Sequence, residues 1–264
     1  MLEKYEPTHL DLFSGIGGFT LAAGWAGFKT VAFVERDKWC RKILAARWPG
    51  VTQFGDIAEF NGKTIGEISL LTGGFPCQPF SYSGRRQGQA DDRHLWPEMF
   101  RVIQESKPDW VIGENVDGFD GLGLDDCISD LEAGGYEVAP PLEIPACAVG
   151  ARHIRNRIWI LANRVGERLQ RIPSEDSRTK GTGHLQPDQW RQSVERPEIL
   201  PEISSGLQTY WFPKVEPVFL GGTHGIPTWA HQAHAIGNAI VPQVAFMFTR
   251  EIYRLIMQSH RKPT

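Results

Sequence analysis

The beginning of the chain holds the pattern that most narrows its possible folds. An apolar run from His9 to Phe13 has the composition of a buried strand, and an alanine-rich stretch that ends at Phe28 has that of a helix. The glycine-rich turn Ser14–Gly18 joins them. Glycine lets the backbone approach a ligand closely, and the first amides of a helix are free to donate hydrogen bonds. The pattern therefore predicts a strand, a turn and a helix that together bind a ligand.

A carboxylate stands at a matching distance from this turn. The second strand pattern, Val31 to Val34, ends in Glu35, which lies twenty residues beyond Gly15. A carboxylate at that spacing is placed to hold the hydroxyl groups of a ribose. The dinucleotide-binding form of the turn would have a glycine where Thr20 stands, so the spacing disfavours NAD.

Strand and helix patterns continue to alternate along the chain. Strand patterns precede Gly55, end at Thr72, Ile112 and Ala162 and occupy Val138 to Ala146, whereas helix patterns cover Asp37–Trp48, Leu95–Ser106, Gly123–Gly135 and Val241–Gln258. Glu114 follows one of these strands. If the sheet is parallel, Glu114 lies at the same edge as the run Gly73–Ser81, because parallel strands end at one edge.

The run Gly73–Ser81 contains one thiol, Cys77. A free cysteine is most often a small buried residue, but two glycines and two prolines exclude a helix here and predict an exposed turn. No Cys-x-x-Cys pair occurs, so we expect reduced thiols and no zinc. His231 and His234 have no third ligand nearby, and we expect no metal site.

Composition sets only broad limits on the class of protein. Of the 264 residues, 41% are hydrophobic and 22% charged, no run approaches membrane-spanning length, and the N-terminus lacks a signal-peptide pattern. We therefore expect a cytoplasmic protein. Residues 151–200 hold ten Lys and Arg against six Asp and Glu, a balance of +4 that leaves −7 for the rest of a chain of net charge −3. This asymmetry indicates either a contact face for phosphates or a solvated arginine-rich loop.

Several blocks, in the same order, resemble the DNA cytosine-5 methyltransferase family. The similar blocks are Asp11–Gly18, the Pro76-Cys77 pair with its Gln-x-Phe-Ser continuation, Glu114-Asn115-Val116, the pair Arg155 and Arg157, and Ala235–Pro242. The resemblance covers nearly the whole chain except residues 164–223. It implies an α/β, Rossmann-like S-adenosylmethionine-dependent methyltransferase fold, with a mostly parallel sheet, helices on both faces and a small recognition domain.

The resemblance also implies a site for S-adenosylmethionine. Glu35 would hold the ribose, Phe13 would stack near the cofactor, and Asp56 with Ile57 would lie against the adenine. The implied cofactor residues are Phe13, Gly15, Ile16, Gly17, Gly18, Glu35, Asp56, Ile57, Pro76, Leu95, Asn238 and Ala239. A helix cap is the alternative role of Asp56.

Four residues would act on the base in a protein of this family. The Cys77 thiolate would add to carbon 6 of a flipped-out cytosine, Glu114 would hold the ring nitrogen and exocyclic amine, and Arg155 and Arg157 would border the carbonyl and a nearby phosphate. Arg152 and His153 stand where the family commonly has proline and glutamine, which leaves the role of His153 open.

Double-stranded DNA is the implied partner, with a restriction endonuclease as a possible second one, and we expect a monomer that does not bind membranes. The polar loop 81–93 and the basic segment 164–223 would contact the DNA. The candidate DNA-binding residues are Ser83, Arg85, Arg86, Arg171, Gln189 and Arg191. The predicted domains are a catalytic domain, 1–163, a recognition domain, 164–223, and a C-terminal segment, 224–264, that returns to the catalytic domain.

Three other functions remain open from the sequence. A transfer-RNA cytosine methyltransferase would share the catalytic blocks and differ in residues 164–223. A catalytically silent DNA-binding homologue is disfavoured by the intact Cys77, Glu114, Arg155 and Asn238. A thiol hydrolase that pairs Cys77 with a histidine would leave the cofactor blocks unexplained.

Overall fold

A computed structural model of the chain describes residues 5–76, 95–119, 122–151, 154–165 and 238–260. The strands are β1 (Thr8–Leu12), β2 (Lys29–Val34), β3 (Thr52–Phe54), β4 (Leu70–Gly74), β5 (Trp110–Val116), β6 (Tyr136–Val138), β7 (Leu142–Pro145) and β8 (Asn156–Arg164). The helices are α1 (Gly18–Ala26), α2 (Lys38–Arg47), α3 (Trp96–Ser106), α4 (Leu122–Ala133) and α5 (Pro242–Ser259).

All eight strands belong to one sheet in the order β3-β2-β1-β4-β5-β8-β6, with β7 also paired to β8. Strands β1 to β5 pair in parallel with one another. Strand β8 is antiparallel to its three partners, β5, β6 and β7. The predicted α/β fold with a mostly parallel sheet is therefore confirmed. The carboxyl ends of β1, β2, β4 and β5 meet at one edge, where open α/β sheets bind ligands.

Each face of the sheet carries its own apolar core. One core packs α3 and α4 onto the sheet through buried side chains such as Met99, Ile103 and Leu131. The other packs α1 and α5 through side chains such as Ala22 and Ile252. Side chains alternate along a strand, so one apolar strand can feed both cores. Helices therefore cover both faces, as predicted.

Helix α5 packs on α1. The Thr249 hydroxyl donates to the Ala22 carbonyl at 3.1 Å, and the rings of Phe28 and Tyr253 meet edge to face with centroids 5.4 Å apart. The same helix packs on the sheet, where Phe248 contacts Trp159 of β8, and His260 at its C-terminal end stacks on Tyr5.

The predicted strand region from Val138 to Ala146 is interrupted. It forms the end of β6 and the whole of β7, and a short 3-10 helix, Ala146–Val149, follows. Pro140 and Pro141 lie between the two strands. Proline has no amide hydrogen to donate to a sheet, so the pair breaks the strand.

The chain divides into two compact units, one formed by Met1–Arg171 with Ala230–Thr264 and the other by Ile172–Trp229. The second unit lies outside the described residues, so the predicted domain boundaries at 163 and 223 stay a prediction. Within the described residues, no helix has the length and apolar character needed to cross a membrane.

Candidate active site

A cavity of about 560 Å³ opens at the carboxyl edge of the parallel strands. Small-molecule sites typically measure about 300–1,000 Å³. Nine of the predicted cofactor residues line it, namely Phe13, Gly15, Ile16, Gly18, Glu35, Pro76, Leu95, Asn238 and Ala239. Two of the predicted catalytic residues, Glu114 and Arg157, line it as well. The fold thus brings blocks from the beginning, middle and end of the chain to one cavity.

The glycine-rich turn forms one wall and depends on left-handed backbone. Phe13, Gly15 and Gly17 have φ values of 52°, 53° and 88°. Gly17 is not among the lining residues, and its role is in packing: a Cβ there would lie 2.4 Å from the ring of Trp48. Both its backbone angle and this contact require glycine at that position.

Glu35 holds the turn in place from the end of β2. One carboxylate oxygen accepts from the Gly15 amide at 2.6 Å, and the other accepts from the Asp37 amide at 2.7 Å. Burial raises the pKa of Glu35, and these two backbone donors oppose the rise. Glu35 therefore lines the cavity and also holds in place the glycine-rich turn that forms one of its walls.

Asp56 and Ile57 do not line the cavity. The Asp56 carboxylate accepts from the Ala58 amide at 3.0 Å and caps the 3-10 helix Ile57–Glu59. Ile57 is buried in the core beside α3 and α4. The structure thus gives Asp56 the capping role that the sequence left as its alternative, and an adenine contact by the pair stays a prediction.

Trp39 was missed by the sequence analysis. Its half-buried side chain lines the cavity from the first turn of α2, beside Arg36 and Asp37. The Asp37 carboxylate caps that helix by accepting from the amides of Trp39 and Cys40, which fixes how the helix leaves Glu35. The signal available in the sequence was that the aromatic residue Trp39 lies close to Glu35, the carboxylate whose spacing from Gly15 suits a ribose.

Glu114 is a buried carboxylate on the opposite side of the cavity. It sits on β5 directly beside Gly74 of β4, and a Cβ on Gly74 would lie 3.2 Å from its Oε2. Desolvation raises the pKa of Glu114 to about 7, against the opposing charges of Arg157 and Arg155. A carboxyl group with this pKa can donate or accept a proton near neutral pH.

Arg157 forms an ion pair with Glu114 that leaves one oxygen open. Its Nε lies 3.0 Å from Oε1 of Glu114, but its N–H is not aimed at that oxygen, which lacks a hydrogen-bond donor among the described side chains. A buried polar atom without a partner is costly in a folded protein. Glu114 lines the cavity as a residue, whereas this particular oxygen is buried next to Arg157.

Asn115 holds the strand end that leads toward Cys77. Its buried amide donates to the Phe75 carbonyl at 3.1 Å, and the Phe75 ring packs against Trp96 and Phe119. Cys77 itself lies outside the described residues. The same holds for Arg152, His153, Ser83, Arg85, Arg86, Arg171, Gln189 and Arg191.

Arg155 is not among the residues that line the cavity. Its φ of 40° lies in the left-handed region, and β8 begins only at the next residue. Arg155 thus precedes the strand and is not part of its alternation. Its guanidinium instead donates to the Ala239 carbonyl at 2.8 Å.

A row of buried polar side chains lies in the sheet beneath the turn. The Thr72 hydroxyl donates to Asp11 at 3.2 Å, so it accepts from Nε2 of His9 at 2.8 Å, while Nδ1 accepts from Thr30 at 2.9 Å. Thr20 of α1 also donates to Asp11, at 2.7 Å. Burial raises the pKa of Asp11 to about 7 and lowers that of His9 to about 3. The row therefore holds a neutral histidine.

The sheet, the glycine turn and the buried carboxylate facing one cavity define a Rossmann-like protein of the methyltransferase type. Residues 8–210 match the family described as C-5 cytosine-specific DNA methylase. This match spans more than half of the chain, which therefore belongs to that family.

Two relatives and one solved structure illustrate the similarity. The Type II methyltransferase M.AluI from Cellulosimicrobium cellulans is 37% identical over 190 residues, 64% of this chain and 36% of that protein. M.HhaI from Haemophilus parahaemolyticus is 40% identical over 111 residues, 42% of this chain and 34% of that protein. The matched part of the chain thus spans about a third of the length of these two relatives.

The solved structure is a candidate DNA modification methyltransferase encoded within a prophage of E. coli. It matches with a TM-score of 0.51 and 27% identity, over 60% of this chain and 47% of that chain.

Proposed function

We propose that this protein methylates carbon 5 of cytosine in double-stranded DNA, with S-adenosylmethionine as the methyl donor. Membership of the C-5 cytosine methylase family supports this class of reaction. The observation that carries the proposal is Glu114, a buried carboxyl group that lines the cavity, has a pKa of about 7 and forms an ion pair with Arg157. A cytosine ring offers the nitrogen and amine that such a group can bind and protonate.

Carbon 5 of cytosine is a poor nucleophile toward a methyl donor. The reaction therefore requires a nucleophile of the enzyme that first activates the ring. In the proposed reaction the Cys77 thiolate adds to carbon 6 while Glu114 protonates the ring nitrogen, and this makes carbon 5 electron-rich. S-adenosylmethionine, when bound, supplies an electrophilic methyl group. Carbon 5 would take this methyl group and S-adenosylhomocysteine would leave. Loss of the carbon 5 proton to a base, elimination of Cys77 as the thiolate and return of the ring-nitrogen proton to Glu114 then release methylated cytosine. The base must leave the duplex to reach such a site.

The cavity residues fit S-adenosylmethionine. The left-handed turn at Gly15 exposes backbone, and a Cβ added there would approach only the Phe13 carbonyl oxygen, at 4.0 Å. Glu35 uses each carboxylate oxygen for one backbone donor, and each oxygen has a further lone pair for a ribose hydroxyl. Phe13 and Trp39 line the same cavity and supply rings for the adenine.

The finer assignments of partner and location are part of the proposal. Arg157, paired with Glu114, would bind the carbonyl of the base, and segment 164–223 would read the DNA sequence in the major groove. Because the named relatives are Type II methyltransferases, we propose that the protein works beside a restriction endonuclease. We also propose that it acts as a monomer in the cytoplasm.

The test is a methyl-transfer assay with purified protein, labelled S-adenosylmethionine and either duplex DNA or transfer RNA. We expect labelled 5-methylcytosine in the DNA alone, located by bisulfite sequencing. Cys77→Ser should bind the cofactor without transferring the methyl group, because a hydroxyl is far less available as an anion than a thiol.

A duplex with 5-fluorocytosine at the target should form a stable covalent adduct with the wild type, because fluorine cannot leave as a proton does. Turnover by Cys77→Ser, or no adduct on a proven substrate sequence, would contradict the proposed pathway. Label in the transfer RNA instead of the DNA would replace the proposed substrate.

A further inference from the structure

Arg155 joins two segments that are far apart in the sequence. Its terminal guanidinium nitrogen donates to the Ala239 carbonyl, 84 residues along the chain, at 2.8 Å. A hydrogen bond from a charged donor is among the stronger ones in a protein. The left-handed backbone at Arg155 sets it apart from the alternation of β8, and its charge acts on both Arg157 and Glu114.

The segment that Arg155 holds, Asn238–Ile240, forms a wall of the cavity. All three of its residues line the cavity, and α5 begins two residues later at Pro242. The Ile240 side chain lies 2.7 Å from the position of a Cβ on Gly18, in the turn, and 3.7 Å from that of a Cβ on Gly74. The segment therefore reaches from the cofactor side of the cavity to the strand end beside Glu114.

The two arginines thus have different partners. Arg157 pairs with the Glu114 carboxylate, whereas Arg155 donates to the backbone of the segment 238–240. We propose that Arg155 is a positioning residue that sets cofactor affinity by holding segment 238–240 closed against the cavity. This inference rests on the proposed S-adenosylmethionine site and assigns Arg155 no contact with the target base.

The physical reason is the conformational freedom that segment 238–240 gains when the Arg155 side chain is removed. The described part of the segment begins at Asn238 and continues into α5, and the bond from Arg155 to the Ala239 carbonyl ties it to the residue that precedes β8. Without the bond, the segment samples open arrangements, and a ligand must bear the cost of ordering it. Cofactor affinity therefore falls. The charge of Arg155 also lowers the pKa of Glu114, and Arg155→Lys keeps that charge.

The test measures the dissociation constant of S-adenosylhomocysteine by calorimetry, without DNA, for the wild type and three variants. Arg155→Met removes the donor and keeps the chain length, and we expect about tenfold weaker binding. Arg155→Lys keeps the charge and one donor and should lose only a few-fold. Arg157→Met is the matched control and should bind within about twofold of the wild type.

Turnover kinetics provide a second measurement, which distinguishes a loss of cofactor affinity from a general loss of folded protein. Arg155→Lys should raise the KM for S-adenosylmethionine with little change in kcat, whereas Arg157→Met should lower kcat. If Arg155→Met fails to fold, the Arg155→Lys and Arg157→Met results decide between the two roles.

Equal affinity in wild type and both Arg155 variants, or an equal loss in Arg157→Met, would overturn the inference. If the wild type binds no S-adenosylhomocysteine, the proposed function itself fails instead.

Discussion

The two sides of the cavity use a buried carboxylate in opposite ways. On the turn side, each oxygen of Glu35 accepts a backbone amide, at 2.6 and 2.7 Å. On the other side, Oε1 of Glu114 has an ion pair with Arg157 but no hydrogen-bond donor among the described side chains. One carboxylate is therefore used to shape the site, and the other lines the cavity as a desolvated group with a pKa of about 7.

This difference teaches how a single cavity can combine binding with proton transfer. A carboxylate whose two oxygens both accept backbone donors is held rigidly, and these donors oppose the rise in its pKa, which suits a binding wall. Glu114 is desolvated and has a pKa of about 7, which suits a group that must give up a proton near neutral pH. Substitutions on the two sides should thus change different kinetic constants.

The largest effect is expected at Glu114. Glu114→Gln keeps a group that can hydrogen-bond the base but removes the proton that it can supply. We expect kcat to fall by about 100-fold to 10,000-fold, the usual contribution of general acid–base catalysis, with cofactor affinity unchanged. Single-turnover kinetics measures the first quantity and calorimetry the second. A variant that loses cofactor affinity but keeps kcat would reverse the assignment of the two sides.

The second prediction concerns the pH dependence of stability through Asp11, a third buried carboxylate. Desolvation raises its pKa from 3.8 to about 7, and hydrogen bonds from Thr20 and Thr72 oppose the rise. Because the folded pKa lies above the unfolded one, its contribution is fully present below pH 3.8 and is lost as pH rises to about 7. The loss is at most about 4 kcal/mol.

The comparison of Asp11→Asn with the wild type isolates this contribution. His9, whose pKa is lowered from 6.5 to about 3, has the opposite sign and titrates in both proteins. Denaturant unfolding from pH 4 to 8 should show the wild type losing stability relative to the variant up to about pH 7 and staying level above it. A difference that is constant with pH would mean that Asp11 does not titrate in this range.

The sequence predicted most of the cavity because spacing in the chain reports the position of a residue at the edge of a parallel sheet. Gly15 and Glu35 follow strands β1 and β2, Glu114 lies near the end of β5, and the parallel strands align these residues at one edge. The structure adds Trp39, which lies in a helix that the sequence pattern describes only as amphipathic.

Arg155 shows where such reasoning ends. Its left-handed backbone and its bond to Ala239 depend on tertiary contacts, and no local pattern of residues encodes them. For Asp56 the sequence did indicate the observed role, a helix cap, as one of two. Acidic residues suit both caps and ligand contacts, and the sequence alone does not separate these roles.

The smallest effect is expected at Glu35. Glu35→Ala removes a ribose acceptor and leaves the amides of Gly15 and Asp37 without their partner, so cofactor affinity should fall about tenfold and stability by about 1 kcal/mol. Glu35→Gln is the matched control, because its one oxygen can still accept from Gly15. Calorimetry with S-adenosylhomocysteine and thermal unfolding measure the two effects, and kcat at saturating cofactor should stay within about twofold. If Glu35→Ala destabilises the fold but binds cofactor like the wild type, then Glu35 serves only to hold the turn.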